Sequence, residues 1–416
     1  MTPPPTATTA KAPAPERPAH RDGTVLRWLA AYSCSTLGDN IYYVALSWTA
    51  VQAGTPTQAG LVTAASALPR ALLMLGGGVV ADRLGLRRVV LGSDAVRCAA
   101  VFAVAGLLLA TGPALWLLAA LALLFGVVDA FFLPAVGALP SRIAAPGQLA
   151  RVHGMRGIAV RLANILGAPL AGLGVALGGP ATAFAAAGLL FAASVPLLAT
   201  LRIKDGTSGA RGSVRERPTL RDGLRYVAGH RVLAPLVLVS ALGDLGFIGP
   251  LNIGLALLAD ERGWGTAGIG WVLAGFGTGS GAASLLLAVR GRVPRAGLVL
   301  SVTSVAGAGA IALIALMPRA SLAGAAALAL GLLMGLSGAL CGALTQTQAD
   351  PARIGRVTAL TSLFSMGVAP LTFPLTGAAI GAWGTVPVFT TGAALCAAGG
   401  LVGLASPTLR RAELPA

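Results

Sequence analysis

The chain has 416 residues, 56% of them hydrophobic and only 11% charged, with a mean hydropathy of +0.81. That excludes an ordinary soluble domain, in which about 25% of residues are charged. The net charge of +16 raises the question of nucleic acid, which the placement of the basic residues answers below.

Residues 1–24, "MTPPPTATTAKAPAPERPAHRDGT", read as a disordered tail without the apolar core of a signal peptide. Twelve apolar stretches follow, at about 26–51, 59–81, 89–110, 114–139, 158–177, 181–201, 232–259, 267–289, 296–316, 322–344, 357–380 and 386–405. Each is about 20 residues or longer, enough to cross a bilayer as a helix. The predicted fold is therefore all-α and integral to the membrane. The longest connection, 202–231, is basic and contains "PTLRDGLRYVAGH", predicted as an amphipathic helix on the membrane surface. It separates a unit of six helices at 25–201 from a second at 232–405, and 406–416 forms a short final tail.

Of the 30 Lys and Arg, 25 fall at the N-terminal end, in the connections after even-numbered spans, or in the final tail. Odd-numbered connections hold only Arg262 and Arg319, and Arg70, Arg97 and Arg161 lie within spans. This asymmetry predicts cytoplasmic termini, and basic loops at an anionic leaflet account for the charge without nucleic acid. Arginine outnumbers lysine 28 to 2 in an Ala- and Gly-rich chain, a composition that suggests a GC-rich bacterial genome and hence a bacterial inner membrane.

The two halves echo each other. "STLGDN" at 35–40 and "SALGDL" at 240–245 place Asp39 and Asp244 205 residues apart, the same offset as Arg151 and Arg356. "LGAPLAG" at 166–172 is echoed by "MGVAPLTFP" at 366–374. Such weak internal similarity predicts two pseudo-symmetric six-helix repeats around a central cavity. The 57 glycines permit close helix approach, and Pro69, Pro134, Pro169, Pro235, Pro250, Pro370 and Pro374 mark expected kinks.

Between spans 2 and 3 stands "GGGVVADRLGLRRVVLGSDAVR", residues 76–97. Gly78 permits close packing, Asp82 is expected to end the span, and Gly85 suits a tight turn. Arg83, Arg87 and Arg88 would anchor that turn among lipid headgroups. This stretch resembles the G-x-x-x-D-R-x-G-R-[KR] signature of the major facilitator superfamily, with Gly78, Asp82, Arg83, Gly85 and Arg88 on the motif and Leu86 replacing one basic position. "LGDNIYYVALSW", "SALPRALLMLGGGVVADR", "SDAVR" and "DAFFLPAVGALPSRI" are similar to its macrolide-efflux and enterobactin-exporter branch. The resemblance implies export of an amphipathic small molecule by proton antiport, in a monomer whose spans 1, 4, 7 and 10 line the cavity. It also implies a charge latch of Asp82 and neighbouring arginines between the halves. The corresponding second loop keeps Arg290, Arg292 and Arg295 without the aspartate. The span-4 arginine motif of many drug antiporters is absent, and their span-5 motif survives only as "GAPLAG".

Ionisable groups inside spans are costly and mark candidate sites. Counted from the nearest basic boundary, Asp39, Arg70 and Asp129 lie about 18–20 Å deep, and Asp244 lies at a similar level. That predicts an Asp39–Arg70 pair, with Asp129 also within reach. Asp129 matches Gly338 in the second half, so it is the carboxylate least explained by duplication and the sharper candidate for coupling or cation recognition. Asp94 and Arg97 are predicted to pair on one helix face and brace the loop, while Arg161 is predicted to snorkel to the inner surface. Gln346 and Gln348 are candidate gate or substrate contacts. Cys34, Cys98, Cys341 and Cys396 read as packing residues, and the three histidines do not cluster. "GFGTGSGAAS" at 275–284 lacks the lysine of a phosphate-binding loop, and no catalytic constellation is apparent. The expectation is a non-enzymatic transporter without a cofactor, using protons as coupling ion; uptake and a non-transporting sensor or scaffold are the alternatives.

Overall fold

A computed structural model describes residues 21–144, 148–201, 220–290, 293–350 and 354–413. Arg292 and most of the tail predicted at 1–24 lie outside the described residues, as do the side chains of Asp82, Arg290 and Arg356 and the surroundings of Gly78. The first helices are α1 (Gly23–Ala53), α2 (Pro56–Leu84), α3 (Leu86–Thr111) and α4 (Leu115–Ala138). One segment, Leu149–Ala199, holds α5 and α6, which separate where Gly178 and Gly179 leave helical geometry. After the short helix Leu220–Gly229 comes α7 (Leu233–Gly249), which continues through a π-helical turn at Pro250–Gly254 into Leu255–Glu261. The last rods are α8 (Gly265–Arg290), α9 (Ala296–Leu316), α10 (Ala320–Gln348), α11 (Ile354–Trp383) and α12 (Thr385–Ala405).

Eight helices among the described residues are long and apolar enough to cross a membrane, and one of them is the 46-residue stretch Gly154–Ala199 that contains the Gly178–Gly179 break. With α1, α2 and α11, which are also long, the chain folds as a bundle of extended helices throughout. The surface agrees with a lipid setting: Leu109, Leu177 and Leu285 are more than 60% exposed, and Trp116 and Trp383 stand exposed at helix ends, where indole rings anchor at the membrane interface.

Several local expectations hold and others shift. Gly85 has φ +90, the left-handed conformation that its tight turn requires. Asp82 does not terminate α2, which runs on to Leu84. Helix 5 starts at Leu149 rather than near 158, because helicity extends past the apolar part through "LARVHGMRG". Pro250 does not merely bend α7. Its missing N–H goes with a π turn, a common accommodation inside a long helix.

The helix contacts form two matching sets. Helix α1 packs on the α5–α6 segment and α2 on α4; correspondingly α7 packs on α12 and α8 on α10. Across the two sets, α2 meets α11 and α5 meets α8. Glycine permits these crossings. A Cβ at Gly60 in α2 would lie 2.7 Å from the Phe373 carbonyl oxygen of α11, and one at Gly377 would collide with the Pro56 carbonyl. Among the described residues, several of these contacts lie at the end of the bundle away from the chain termini. There Gln52 donates to Asp260 at 2.5 Å and Thr266 to the Gly172 carbonyl at 3.3 Å.

Candidate functional site

The buried face of α3 is a helical stripe of Val90, Ser93, Asp94, Arg97, Val101, Val104, Ala105 and Leu108. Its periodicity carries an ion pair into the centre of the first six helices. Asp94 and Arg97 are both 0% exposed. The Arg97 guanidinium is the hub of a charge cluster. One nitrogen lies 3.4 Å from Asp94 Oδ1 and 3.5 Å from Asp39 Oδ2, and the other donates to Asp129 Oδ1 in a short contact. Its carbon sits 4.1 Å from the centre of the Phe132 ring and under 6 Å from those of Phe125 and Phe191, so aromatic faces supply cation–π attraction to the buried guanidinium.

The carboxylates are not equally served. Ser35 donates to Asp94 Oδ1 at 3.0 Å and Ser194 donates to Oδ2, so both oxygens are satisfied. Asp129 Oδ2 accepts from Tyr43 at 2.9 Å and stands 3.8 Å from Arg70, which also donates to the Tyr43 hydroxyl at 3.4 Å. Asp39, near the middle of α1, has its Oδ2 near Arg97, while its Oδ1 is buried with no hydrogen-bond partner among the described residues. Tyr42, stacked on Phe125, packs behind it.

One predicted pairing changes: Asp39 faces Arg97 rather than Arg70, whereas Asp129 does come within reach of Arg70, at 3.8 Å. The helical rise gives depth but not rotation, and the inward stripe of α3 decides which charges meet. Asp94 and Arg97 accordingly form the buried core of the cluster instead of a brace for the surface loop. Arg161 does not snorkel to the surface either. Its guanidinium donates to the Ser280 carbonyl at 2.9 Å, joining α5 to α8. Tyr43, Ser35 and Ser194 escaped the sequence reading because hydroxyl residues in apolar runs look like packing.

Asp244 is placed elsewhere. It borders a cavity of about 510 Å³ in the second six helices, with Ser240, Phe247, Phe276, Met334 and Gln346 among the walls. Phe276 and Ser280 also border a second cavity of about 380 Å³, which Tyr32, Arg156 and Asn164 line from the first half. Cys98 and Cys396 donate weakly to backbone carbonyls of neighbouring helices, consistent with packing roles.

The profile of the Major Facilitator Superfamily matches residues 28–370. The chain belongs to the major facilitator superfamily. It is similar to the multidrug efflux pump Tap of Mycobacterium tuberculosis (strain ATCC 25618 / H37Rv), at 28% identity over 404 residues, covering 93% of this chain and 94% of the relative. In fold it is similar to the nucleoside transporter NupG, with a TM-score of 0.71 and 12% identity over 92% of this chain and 99% of that one. It also resembles an inward-facing bacterial homologue of the lysosomal transporter Spinster, with a TM-score of 0.64 and 15% identity over 93% and 95% of the two chains. The protein is thus an integral membrane transporter.

Within the superfamily signature, Arg83, Gly85, Arg87 and Arg88 are exposed. Arg87 reaches the Ala199 carbonyl at the end of α6, a contact inside the first half. Arg295, in the corresponding second loop, is the one non-glycine residue with positive φ among the described residues. Nearer the cluster, Ser194→Ala should leave Asp94 Oδ2 without its donor. Both residues are 0% exposed, so the expected cost is about 1.5–3 kcal/mol, the usual range for a hydrogen bond to a charged group. A lowered thermal midpoint of the purified protein would show it. An unchanged midpoint would mean that the Ser194 contact contributes nothing.

Proposed function

We propose that this transporter exports amphipathic small molecules across the bacterial inner membrane in exchange for protons. Residues 25–201 and 232–405 act as the two rocking bodies of a monomer. The observation carrying this reading is the buried cluster of Asp39, Asp94, Asp129, Arg70 and Arg97 within a transporter that also contains an amphipathic cavity. Ionisable groups persist inside a membrane domain where a function uses them. The name of the Tap relatives, multidrug efflux pump, supports the export direction. The basic bias of the even-numbered connections supports cytoplasmic termini. With that orientation the Gln52–Asp260 and Thr266–Gly172 contacts join the halves at their outer ends.

In this scheme substrate enters the chamber beside Asp244 and Gln346, and a change in cluster protonation biases which end of the bundle closes. Ligand-driven population shift requires that kind of difference in affinity between the two conformations. Asp82 and Arg83, Arg87 and Arg88 would form the inner latch when that end closes. The test uses everted membrane vesicles energised by respiration, with ethidium as a fluorescent probe. Accumulation should collapse when a protonophore is added and should be absent from vesicles lacking the protein. Protein-dependent accumulation that persists unchanged in the protonophore would remove proton coupling.

A further inference from the structure

We propose that Asp39 is the carboxyl that carries the coupling proton, one per cycle, while Asp94 and Asp129 remain permanent anions that hold Arg97 and Arg70. This deepens the antiport reading and rests on it for the word "coupling"; the protonation itself is separately observable.

The argument begins with charge. Three carboxyls share the cluster with two guanidiniums, so full ionisation would leave one surplus negative charge in an apolar interior. An uncompensated charge of that kind costs several kcal/mol, and a carboxyl avoids the cost by binding a proton. The hydrogen bonds identify which carboxyl does so. Asp94 receives Arg97, Ser35 and Ser194, and Asp129 receives Arg97 and Tyr43 with Arg70 alongside. These are acceptor arrangements suited to anions. Asp39 has one approach, at 3.5 Å, and one buried oxygen with no partner among the described residues.

Access points the same way. The Asp39 side chain is 22% exposed, against 0% for Asp94 and 7% for Asp129. A coupling proton must come and go, and of the three carboxyls Asp39 is the most open. The other titratable groups around it are Tyr42 and Tyr43 on α1, Arg70 on α2, Asp94 and Arg97 on α3 and Asp129 on α4. From α6, Ser194 and Phe191 reach the cluster, and neither titrates in water. In the proton-transfer step the Asp39 O–H bond breaks, the proton passes to a water molecule at its exposed edge, and the carboxylate keeps the electron pair. The new charge draws towards Arg97 Nη1, the guanidinium nitrogen nearest Asp39 Oδ2. Reprotonation from the opposite side reverses the step. The sequence singled out Asp129 for having no counterpart in the second half; the bonding pattern makes it the fixed anion instead.

Infrared difference spectroscopy of the full chain in lipid tests this without any substrate. Exposed carboxyls have pKa values of about 4 and are ionised at neutral pH, so a protonated-carboxyl C=O band there reports a buried acid. The wild type should show one such band, lost at strongly alkaline pH. Asp39→Glu should move it to the glutamic-acid frequency and Asp39→Asn should abolish it. Asp94→Glu and Asp129→Glu, which preserve charge, should leave it in place. A band that moves with Asp94→Glu or Asp129→Glu, or no band in the wild type, overturns the proposal. If the band follows Asp39 but ethidium accumulation ignores a protonophore, antiport fails and the protonated Asp39 stands; protonophore-sensitive accumulation with the band assigned elsewhere has the reverse meaning.

Discussion

Replacing Arg97 with Met should destabilise the protein by about 3–5 kcal/mol, the usual consequence of removing one partner from a buried ionic group. The reason is local. Arg97 is fully buried, touches carboxylates from α1, α3 and α4, and lies over the Phe132 ring. Met occupies similar space but leaves Asp94 with only its two serine donors and Asp129 with Tyr43 and Arg70. Arg97→Lys should recover part of the loss, since it restores a charge but not the planar fork that reaches several acceptors at once. The measurement is the thermal midpoint and monodisperse yield of each variant, with half-buried Arg161→Met for comparison. A wild-type midpoint for Arg97→Met would show that the cluster does not organise the first half.

Gly377→Leu should produce the second large effect, on conformation rather than folding. Its added Cβ points at the Pro56 carbonyl where α11 crosses α2, while the reciprocal Gly60 lies against Phe373. Backbone on both sides leaves little room for adjustment, and overpacking of this kind costs about 1–3 kcal/mol. Because the crossing lies at the end where the halves meet, that cost falls mainly on the conformation closed there. It corresponds to a shift of about 5–150-fold between the two conformations. A cysteine introduced at Gln52, whose amide bonds to Asp260 across the same closure, should become more reactive towards a membrane-impermeant thiol reagent. Ethidium accumulation should fall in parallel. Unchanged reactivity would mean that the α2–α11 crossing does not control closure.

Much of the fold was legible because a bilayer simplifies the physical problem. Long apolar runs announce the rods, the positive φ at Gly85 fulfils the turn expected there, and the amphipathic stretch in the central connection becomes the helix Leu220–Gly229. The depth of Asp39, Arg70 and Asp129 was also readable from the helical rise. Their rotation was harder. In a rod apolar on every side, hydropathy does not mark the inward face, so the Asp39–Arg70 expectation chose the wrong neighbour, while the Asp94–Arg97 pair formed as expected but in the cluster core rather than as a brace for the loop. One signal was available: Asp94 and Arg97 continue the spacing of Val90, Val101, Val104 and Leu108. Other partners left no such trace. Ser194 meets Asp94 across 100 positions, and Arg161 meets a backbone carbonyl, which every residue possesses.

The α3 ion pair also has a consequence for biosynthesis. Charged residues resist entry into a bilayer by about 2.5–3.5 kcal/mol each near a helix centre, yet α3 carries Asp94 and Arg97 into a window of mean hydropathy 1.7. When α3 leaves the ribosome, its earlier-made companions are Ser35 and Asp39 on α1. Asp129 on α4 and Ser194 on α6 have yet to be synthesised. The nascent helix must therefore be held through its own i,i+3 pair and by α1 until those later helices arrive. Insertion of the first half is consequently a cooperative event spanning residues 35 to 194, and a chain interrupted before Asp129 presents the insertion machinery with an arginine still missing its closest carboxylate.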